Sequence, residues 1–568
     1  MPETRSWQVR WQSAQRAARA AARSAGDAAR GAGHSVGQAT RNAAGATRKA
    51  VGATRNAAGA ARTAAGGART AWRDAPAERR QTWRLTAGSA AVGLAVAAGA
   101  VVTAGPWEGG QRAAERMTAA TEGRPGDGGP ARDQGPPAAP PVLAALGAPE
   151  HAGDGQRTAP TGPGLSAVLE PLLRDRALGD VRTASVVDVA TGREVFGAAR
   201  GTAAVPASTI KIATAVAALS RLGADHRIET TAVTGPEKDG TPGVVLVGGG
   251  DPTLTARAPG KPADPMDTAV NEAGERPASL QALADQTARS LKRRGTDRVT
   301  LSYDTSAYTG PRLHPISPNE NITPVTALMT DEGRLDGSDR GPAPRDTDPE
   351  VTATRAFADL LRDRGVRVDG DPRPAKAPKD AERLGTVRSL PLSSLVERML
   401  THSDNDLGEA LVRQTAIAAG IPADFKGGQE AVRQTLASLG LPLEGAVFED
   451  GSGLDRDDRA SAELLTRLLA LAASPRHPEL RSVISGLPVA GFTGTLRGRY
   501  AGTEPGAGSV RAKTGTLTGV NTVAGTVVDA DGRLLAFAFL TNGTTDAQGA
   551  EAALDRMTKA VSRCGCRG

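Results

Sequence analysis

Hydrophobic and polar positions begin to follow a regular pattern at about residue 165. The segment "SAVLEPLLRDRAL" has apolar residues at helical spacing, and "VRTASVVDVATGREVFGAA" contains two strand-like runs around a Thr-Gly turn. The next segment, "VPASTIKIATAVAAL" (residues 205–219), places Pro206 in a first helical turn and repeats apolar residues every three or four positions. The pattern therefore predicts a helix that starts near Pro206 and ends at Gly223.

Later segments extend this fold. "GSVRAKTGTLTGVNTVAGTVVDADGRLLAFAFL" predicts antiparallel strands joined by a turn at "DADG", and "LVERMLTHSDNDLGEALVRQ" predicts two helices with a loop between them. The strand-like runs "GVVLVGGGDPTL" and "DRVTLSYDTSAYTG" lie earlier in the chain. Because 568 residues exceed what one hydrophobic core usually supports, we interpret residues 164–568 as an α/β domain with an insertion. Its core comprises residues 164–231 and 385–563, and the strand-rich insertion covers about 232–384.

An uncharged segment of 23 residues, "LTAGSAAVGLAVAAGAVVTAGPW", covers residues 85–107. As a helix it is long enough to cross a bilayer, and Trp83 and Trp107 lie at its two ends. The preceding "ERRQTWR" carries three arginines. The positive-inside rule therefore predicts that the N-terminus is cytoplasmic and that residues 108–568 lie outside the membrane. We expect a retained single-pass transmembrane anchor. A buried, Ala-rich helix of a soluble protein is the alternative.

The segments on either side of this anchor have biased compositions. Residues 1–84 contain sixteen Lys and Arg but only four Asp and Glu, and arginine recurs every seven residues between Thr40 and Ala71. A glycine in each repeat weakens a helix, so we predict a disordered or weakly helical basic tail, with electrostatic contact to anionic lipid or nucleic acid as the sharper hypothesis. Residues 108–163, rich in Pro and Gly, predict a linker.

The cysteine content argues against a disulfide framework or a zinc site. The only cysteines, Cys564 and Cys566, lie at the C-terminus, where a bond would close a very small loop. Two thiols without nearby histidines are too few ligands for zinc.

Candidate chemistry begins with Ser208 and Lys211, which are three positions apart and so lie on one face of a helix. A serine hydroxyl is a poor nucleophile until a base takes its proton, and lysine can be that base only if its pKa is lowered. A second cation beside Lys211 would lower it, and Lys513 on a predicted strand supplies one. Gly515 follows, where a missing side chain would let a substrate backbone approach.

Three motifs occur in a recognisable order. Ser-x-x-Lys lies at residues 208–211, Ser-x-Asn at 403–405 and Lys-Thr-Gly at 513–515. This set resembles that of the penicillin-binding proteins and serine β-lactamases. "DGSGLDR" within residues 448–461 and "GGGDPTL" are similar to segments of the D-alanyl-D-alanine carboxypeptidase/endopeptidase family, the class C low-molecular-mass penicillin-binding proteins. The resemblance covers about residues 165–560, although the aromatic residues expected after "YTGPRLHP" are largely missing.

The resemblance implies a transpeptidase fold, with an antiparallel sheet flanked by helices, and an acyl-transfer mechanism. Ser208 would attack the carbonyl between two D-alanines, with Lys211 as the base. Ser403 would relay a proton to the leaving amine, and Asn405 would bind the substrate backbone and Lys211. Peptidoglycan peptides ending in D-Ala-D-Ala would be the substrates, and β-lactams would be inhibitors.

The Lys-Thr-Gly segment would bind the terminal carboxylate of that substrate. Lys513 would supply positive potential, and Thr514 and Thr516 would donate hydrogen bonds around Gly515. The backbone amides of Ser208 and Thr516 would stabilise the oxyanion. No metal or organic cofactor takes part in this scheme.

Two other functions remain as alternatives. A serine β-lactamase would need a base or water placed for fast deacylation, and a membrane-anchored scaffold would use the basic tail to gather partners. The large insertion favours a polymeric substrate over a small antibiotic. Ser452 in "DGSGLDR" fits a structural role in a tight turn better than a catalytic one.

Overall fold

A computed structural model describes residues 160–257, 275–316, 319–500 and 506–566. The predicted basic tail, the predicted anchor at residues 85–107 and almost all of the predicted linker lie outside these ranges. Within them, no helix combines the length and apolar character that a membrane span requires.

The first sheet has five antiparallel strands in the order β2-β1-β10-β9-β8, with strands numbered along the chain. They are β1 (Val181–Asp188), β2 (Glu194–Ala198), β8 (Val510–Leu517), β9 (Val520–Val528) and β10 (Leu534–Asn542). The predicted antiparallel sheet is therefore confirmed, and "DADG" forms the turn between β9 and β10. Strand β8, which carries the Lys-Thr-Gly segment, is an edge strand.

Helices cover both faces of this sheet, which explains why β9 and β10 are almost continuously buried. Small residues of β10, such as Ala536 and Ala538, pack into the core that contains the helix after Ser208. Phe537 and Phe539 point to the opposite core, which the N- and C-terminal helices complete. The first core contains α2 (Lys211–Leu222), α5 (Leu392–His402), α6 (Asn405–Ala419), α7 (Phe425–Ser438), α8 (Ala462–Ala472) and α9 (Arg481–Ser485), and the second contains α1 (Gly162–Leu173) and α10 (Ala547–Ser562).

The insertion forms a second five-stranded sheet in the order β6-β5-β4-β3-β7. Its elements are β3 (Glu229–Lys238), β4 (Thr241–Val247), α3 (Leu280–Arg293), β5 (Arg298–Asp304), α4 (Pro349–Asp363), β6 (Arg367–Pro374) and β7 (Arg383–Arg388). Strands β4, β5 and β6 are parallel, so each step between them needs a crossover, and α3 and α4 supply it. The insertion is therefore a mixed α/β unit with its own core, and not only strands.

The chain between β5 and α4 lies against α6 and the segment that precedes α7. Tyr308 donates from its hydroxyl to the carbonyls of Gly250 (3.2 Å) and Ala410 (3.4 Å), and the Thr309 amide donates to the Ala423 carbonyl (3.1 Å). This irregular segment brings residues of the insertion to the base of the motif-bearing helices.

The start of the described domain contacts its C-terminal segment. Cys564 and Cys566 are bonded to each other, and the Cys566 carbonyl accepts a hydrogen bond from the Thr161 amide at 2.9 Å. The bond closes a loop with one residue between the cysteines, which is the small loop expected from the sequence.

Candidate active site

Ser208 lies in a short 3₁₀ turn, Ala207–Ile210, immediately before α2. The predicted helix is therefore present, but its regular α-helical part begins only at Lys211. Ala207 has a φ of +45°, a left-handed conformation that is strained for a residue with a side chain. Such strain persists only where the surroundings hold it, and Gly453 packs against Ala207 here.

Lys211 is completely buried, and three oxygen atoms surround its amine. The Nζ atom donates to Ser208 Oγ (3.1 Å), to Asn405 Oδ1 (2.7 Å) and to the backbone carbonyl of Ser452. Burial lowers the pKa of Lys211 to about 8, against the opposing effect of nearby carboxylates, of which Asp450 is the strongest. A neutral amine, with a lone pair free to face Ser208 Oγ, is therefore accessible near neutral pH.

The Ser403–Asn405 loop joins α5 to α6 and delivers Asn405 to Lys211. Ser403 ends α5 in a left-handed conformation (φ +58°), and Asp404 caps α6 by accepting from the Leu407 amide at 3.0 Å. Because Asp404 provides the cap, Ser403 and Asn405 are left to face the site. Asn405 Nδ2 donates to the Asn321 carbonyl at 2.9 Å, which orients the amide with its oxygen toward Lys211.

Lys513 is the second buried cation of the site. It lies on β8 with no exposed surface, and its Nζ donates to the Thr514 carbonyl at 2.7 Å. Burial and the positive charge of Lys211 both lower the pKa of Lys513 well below its usual range. The pKa of Lys211 itself is lowered by burial, so the charge effect runs from Lys211 to Lys513, the reverse of the direction that the sequence suggested. The structure thus brings together the two lysines that the sequence paired.

Two glycines hold the Ser208 turn from opposite sides. A Cβ on Gly515 would lie 2.7 Å from the Pro206 carbonyl oxygen and 3.0 Å from the Ser208 nitrogen. A Cβ on Gly453, which has a φ of +81°, would lie 2.1 Å from the Ala207 carbonyl oxygen. Gly515 is therefore needed for packing of β8 against the nucleophile turn, and the substrate approach suggested by the sequence stays a prediction.

Residues 450–455 form the part of the site that the sequence did not assign to catalysis. The Ser452 side chain donates to Asp450 Oδ2 at 3.0 Å, in keeping with the predicted turn. Its backbone carbonyl, however, accepts from both Lys211 Nζ and Ser208 Oγ (3.3 Å). A backbone acceptor carries no residue-type signal, so only the Asp-Gly-Ser-Gly turn chemistry pointed to this loop.

An open cleft of about 420 Å³ lies over these groups. Five of the eight predicted site residues line it, namely Ser208, Ser403, Asn405, Thr514 and Thr516. The other three, Lys211, Lys513 and Gly515, are buried beneath its surface. Thr514 Oγ1 is 3.0 Å from Thr495 Oγ1. Sequence reasoning missed the four arginines in the lining, each of which is paired with a carboxylate: Arg334, Arg340, Arg345 and Arg499.

In the part of the chain that the structure describes, two buried groups of histidine and carboxylate side chains have ligand atoms close enough together to hold a metal, but both are already compensated. In the first, which contains His314, Glu409 and Asp450, Glu409 accepts from Arg413 (2.9 Å) and from the Gly451 amide (2.9 Å). The second group contains Glu332, Asp404 and Asp406. Each carboxylate is paired with arginine: Glu332 with Arg334 and Arg398, Asp404 with Arg398, and Asp406 with Arg345. The donor sets therefore fit buried polar networks better than a cation site.

Comparison with known protein families agrees with this geometry. The D-Ala-D-Ala carboxypeptidase 3 (S13) family matches residues 165–341 and 336–563. A carboxypeptidase of Mycobacterium tuberculosis is 35% identical over 418 residues, covering 72% of this chain and 85% of the relative. A D-alanyl-D-alanine carboxypeptidase of Actinomadura sp. is 31% identical over 440 residues, covering 66% of this chain and 80% of the relative.

A solved structure shares the fold. The crystal structure of penicillin binding protein 4 from Haemophilus influenzae matches with a TM-score of 0.54 and 21% sequence identity, over 70% of this chain and 97% of that one. The same protein in complex with a β-lactam matches with a TM-score of 0.51. The predicted penicillin-binding-protein type of α/β fold is thus confirmed for the described part of the chain.

The packing of Gly453 gives a test of the site geometry. Gly453→Ala should lower the rate of Ser208 acylation by benzylpenicillin by about tenfold or more, because the new methyl group displaces the Ala207 carbonyl and Ser208 with it. The measurement is the rate of adduct formation by mass spectrometry. Gly440→Ala is the matched control, since Gly440 also has a positive φ (+70°) but an open space where Cβ would lie. Equal acylation rates in the two variants would contradict the assignment.

Proposed function

The chain belongs to the D-Ala-D-Ala carboxypeptidase 3 (S13) family, and from this premise we propose how its serine site removes the terminal D-alanine of peptidoglycan stem peptides. The predicted family and serine-type D-Ala-D-Ala carboxypeptidase activity are confirmed by this membership. The roles of individual residues are inferred from the geometry of the cleft. One observation carries the proposal: a fully buried lysine amine lies 3.1 Å from Ser208 Oγ.

Acylation begins with proton transfer from Ser208 to Lys211. When Lys211 is neutral, its lone pair accepts the proton of Ser208 Oγ, and the oxygen attacks the carbonyl carbon between the two D-alanines. The developing oxyanion binds the backbone amides of Ser208 and Thr516. Collapse of the tetrahedral intermediate breaks the peptide bond, and the proton held by Lys211 passes through Ser403 to the departing D-alanine amine.

The positive side of the cleft binds the C-terminal carboxylate of the substrate. Thr514 and Thr516 both line the cleft beside Ser208, and Lys513 lies directly beneath them. A carboxylate that accepts hydrogen bonds from the two hydroxyls lies in the field of the buried lysine. A substrate without this carboxylate loses these charge-assisted hydrogen bonds, so the site selects for the C-terminal residue of a peptide.

Water then attacks the acyl-enzyme and releases the shortened peptide, which completes the carboxypeptidase cycle. The same attack on a cross-linked stem peptide, in which the leaving amine belongs to a second peptide, gives a D,D-endopeptidase. The open cleft, which includes residues of the insertion such as Asn321 and Arg340, supports access for such a bulky leaving group. β-Lactams act as inhibitors because their ring carbonyl acylates Ser208 in place of the peptide.

We also propose that residues 85–107 anchor the enzyme in the cell membrane, with its catalytic domain outside. The uncharged 23-residue segment and the arginines that precede it support this orientation, and a peptidoglycan substrate requires it. The basic tail, residues 1–84, then lies at the cytoplasmic face, where anionic lipid headgroups can contact its arginines.

Replacement of the nucleophile tests the activity directly. The full-length chain should form a one-to-one adduct with benzylpenicillin and release D-alanine from a peptide ending in D-Ala-D-Ala, and Ser208→Ala should do neither. Mass spectrometry and an assay of free D-alanine provide the two measurements. Ser485→Ala, at a partly exposed serine bonded to Glu397 and absent from the cleft lining, is the control and should behave as the wild type.

Other outcomes separate the rival functions. Rapid hydrolysis of benzylpenicillin without release of D-alanine would indicate a β-lactamase. If the wild-type chain formed no adduct and released no D-alanine, the proposed function would be wrong. A cross-linked stem-peptide dimer, assayed in parallel, reports the endopeptidase activity.

Introducing charged residues into the proposed membrane anchor, residues 85–107, tests it. Leu94→Arg together with Val96→Arg should move the protein from the membrane fraction to the soluble fraction, because each arginine costs about 2.5–3.5 kcal/mol in a membrane-spanning helix. The measurement is fractionation of expressing bacterial cells, with protease digestion of intact spheroplasts to locate the catalytic domain. Ala50→Arg with Val51→Arg in the tail is the matched control and should stay in the membrane fraction. A wild-type catalytic domain protected from external protease would overturn the orientation.

A further inference from the structure

His314 of the insertion makes a buried contact with the loop that borders the nucleophile. Its side chain is 1% exposed, and its Nε2 lies 2.9 Å from Asp450 Oδ2, across 136 positions of sequence. The imidazole also packs edge-on against Phe425 of α7, with ring centroids 5.4 Å apart. The insertion therefore reaches beneath the catalytic centre through one titratable side chain.

Asp450 is the residue that shapes this loop. Its carboxylate accepts hydrogen bonds from four successive backbone amides, those of Ser452 (2.9 Å), Gly453 (2.5 Å), Leu454 (3.0 Å) and Asp455 (2.8 Å). A carboxylate with this many donors fixes the direction of the peptide groups around it. The loop then presents the Ser452 carbonyl to Lys211 and Ser208, and it presses Gly453 against Ala207.

We propose that His314 is a positioning residue for acylation, through its hydrogen bond to Asp450 and the Ser452 carbonyl that Asp450 places against Lys211 and Ser208. This inference rests on the proposed function, because it assigns His314 to the same serine reaction. The insertion then serves catalysis directly, in addition to any contact that it makes with the cell wall.

The hydrogen-bond partners of the imidazole define its direction. The Ile316 amide donates to His314 Nδ1 at 3.3 Å, so Nε2 carries the proton that is donated to Asp450. Burial alone lowers the pKa of His314, but the hydrogen bond and charge of Asp450, together with Glu409, outweigh it and raise the pKa. The same contact helps to hold the pKa of Asp450 well below its usual range, against burial.

Loss of the imidazole N–H would leave Asp450 with its backbone donors and the Ser452 hydroxyl, and without any hydrogen bond to the insertion through His314. Hydrogen bonds to charged groups are among the stronger ones, so the loop would relax toward new partners. Reaction rates are sensitive to shifts of about 1 Å in a catalytic group, whereas the open cleft that binds the substrate does not include His314. The effect should therefore fall on the acylation step and not on initial binding.

A second contact between the insertion and the core provides a matched control. Tyr308 is half-buried and donates to the Gly250 and Ala410 carbonyls, but it makes no hydrogen bond to residues 450–455 in the structure described. Tyr308→Phe thus removes hydrogen bonds of the same docked segment without changing the loop. It separates loss of stability from loss of positioning.

The test compares three variants of the full-length chain with the wild type. His314→Leu removes both ring nitrogens, His314→Gln keeps a donor for Asp450 and an acceptor for the Ile316 amide, and Tyr308→Phe is the control. Stopped-flow measurements with a fluorescent penicillin give the acylation rate constant and the dissociation constant of the initial complex separately. Thermal unfolding reports the stability of each protein.

We expect His314→Leu to lower the acylation rate constant by about tenfold or more, with the dissociation constant within about twofold of the wild type. His314→Gln should restore most of the rate, and Tyr308→Phe should keep the wild-type rate even if its melting temperature falls. Wild-type acylation by His314→Leu would overturn this inference alone. Equal rate losses in His314→Leu and Tyr308→Phe would also overturn it, and a wild-type chain that is not acylated would overturn the proposed function as well.

Discussion

The site depends on a lysine amine that is removed from water and surrounded by oxygen acceptors. An ammonium ion in this position loses its hydration, and the Ser208, Asn405 and Ser452 oxygens replace only part of it. The balance lowers the pKa of Lys211 to about 8, so that the neutral base is accessible under physiological conditions. A solvent-exposed lysine at the same spacing from Ser208 would remain protonated and could not activate the hydroxyl.

The rest of the fold brings these acceptors to one amine. Helix α2 carries Lys211, the α5–α6 loop carries Asn405, and the loop at residues 450–455 carries the Ser452 carbonyl. Strand β8 closes the other side, where Gly515 allows it to pack directly on the Ser208 turn. The insertion holds two of these supports, through the Asn321 carbonyl at Asn405 and through His314 at Asp450.

The sequence was most informative where the chemistry needs a particular side chain. Ser208, Lys211, Asn405 and Lys513 could be identified because their types recur in fixed motifs, and the apolar runs of β9 and β10 predicted the sheet on which Lys513 lies. The sequence also paired Lys211 with Lys513, although 302 positions separate them. The structure places the two buried amines close enough for the charge of Lys211 to lower the pKa of Lys513.

What the sequence missed depends on tertiary packing. The Ser452 carbonyl is a backbone atom, which any residue could supply, and the contact of His314 with Asp450 joins residues that are 136 positions apart in the sequence. The packing constraint on Gly515 was also missed, because it comes from the Pro206 carbonyl, which is distant in sequence. The insertion was predicted as strand-rich, since the short runs of β4 and β5 were clear but α3 and α4 required knowledge of the parallel pairing that they connect.

The most direct test of this account is a titration of Lys211 itself. Lysine labelled with ¹³C at Cε, observed by NMR in the full-length chain and assigned with the Lys211→Met variant, reports the ionisation of the amine. The account predicts a pKa of about 8 for Lys211. A Lys211 resonance that titrates at the ordinary value of 10.5 would contradict the claim that burial prepares this residue as the base for Ser208.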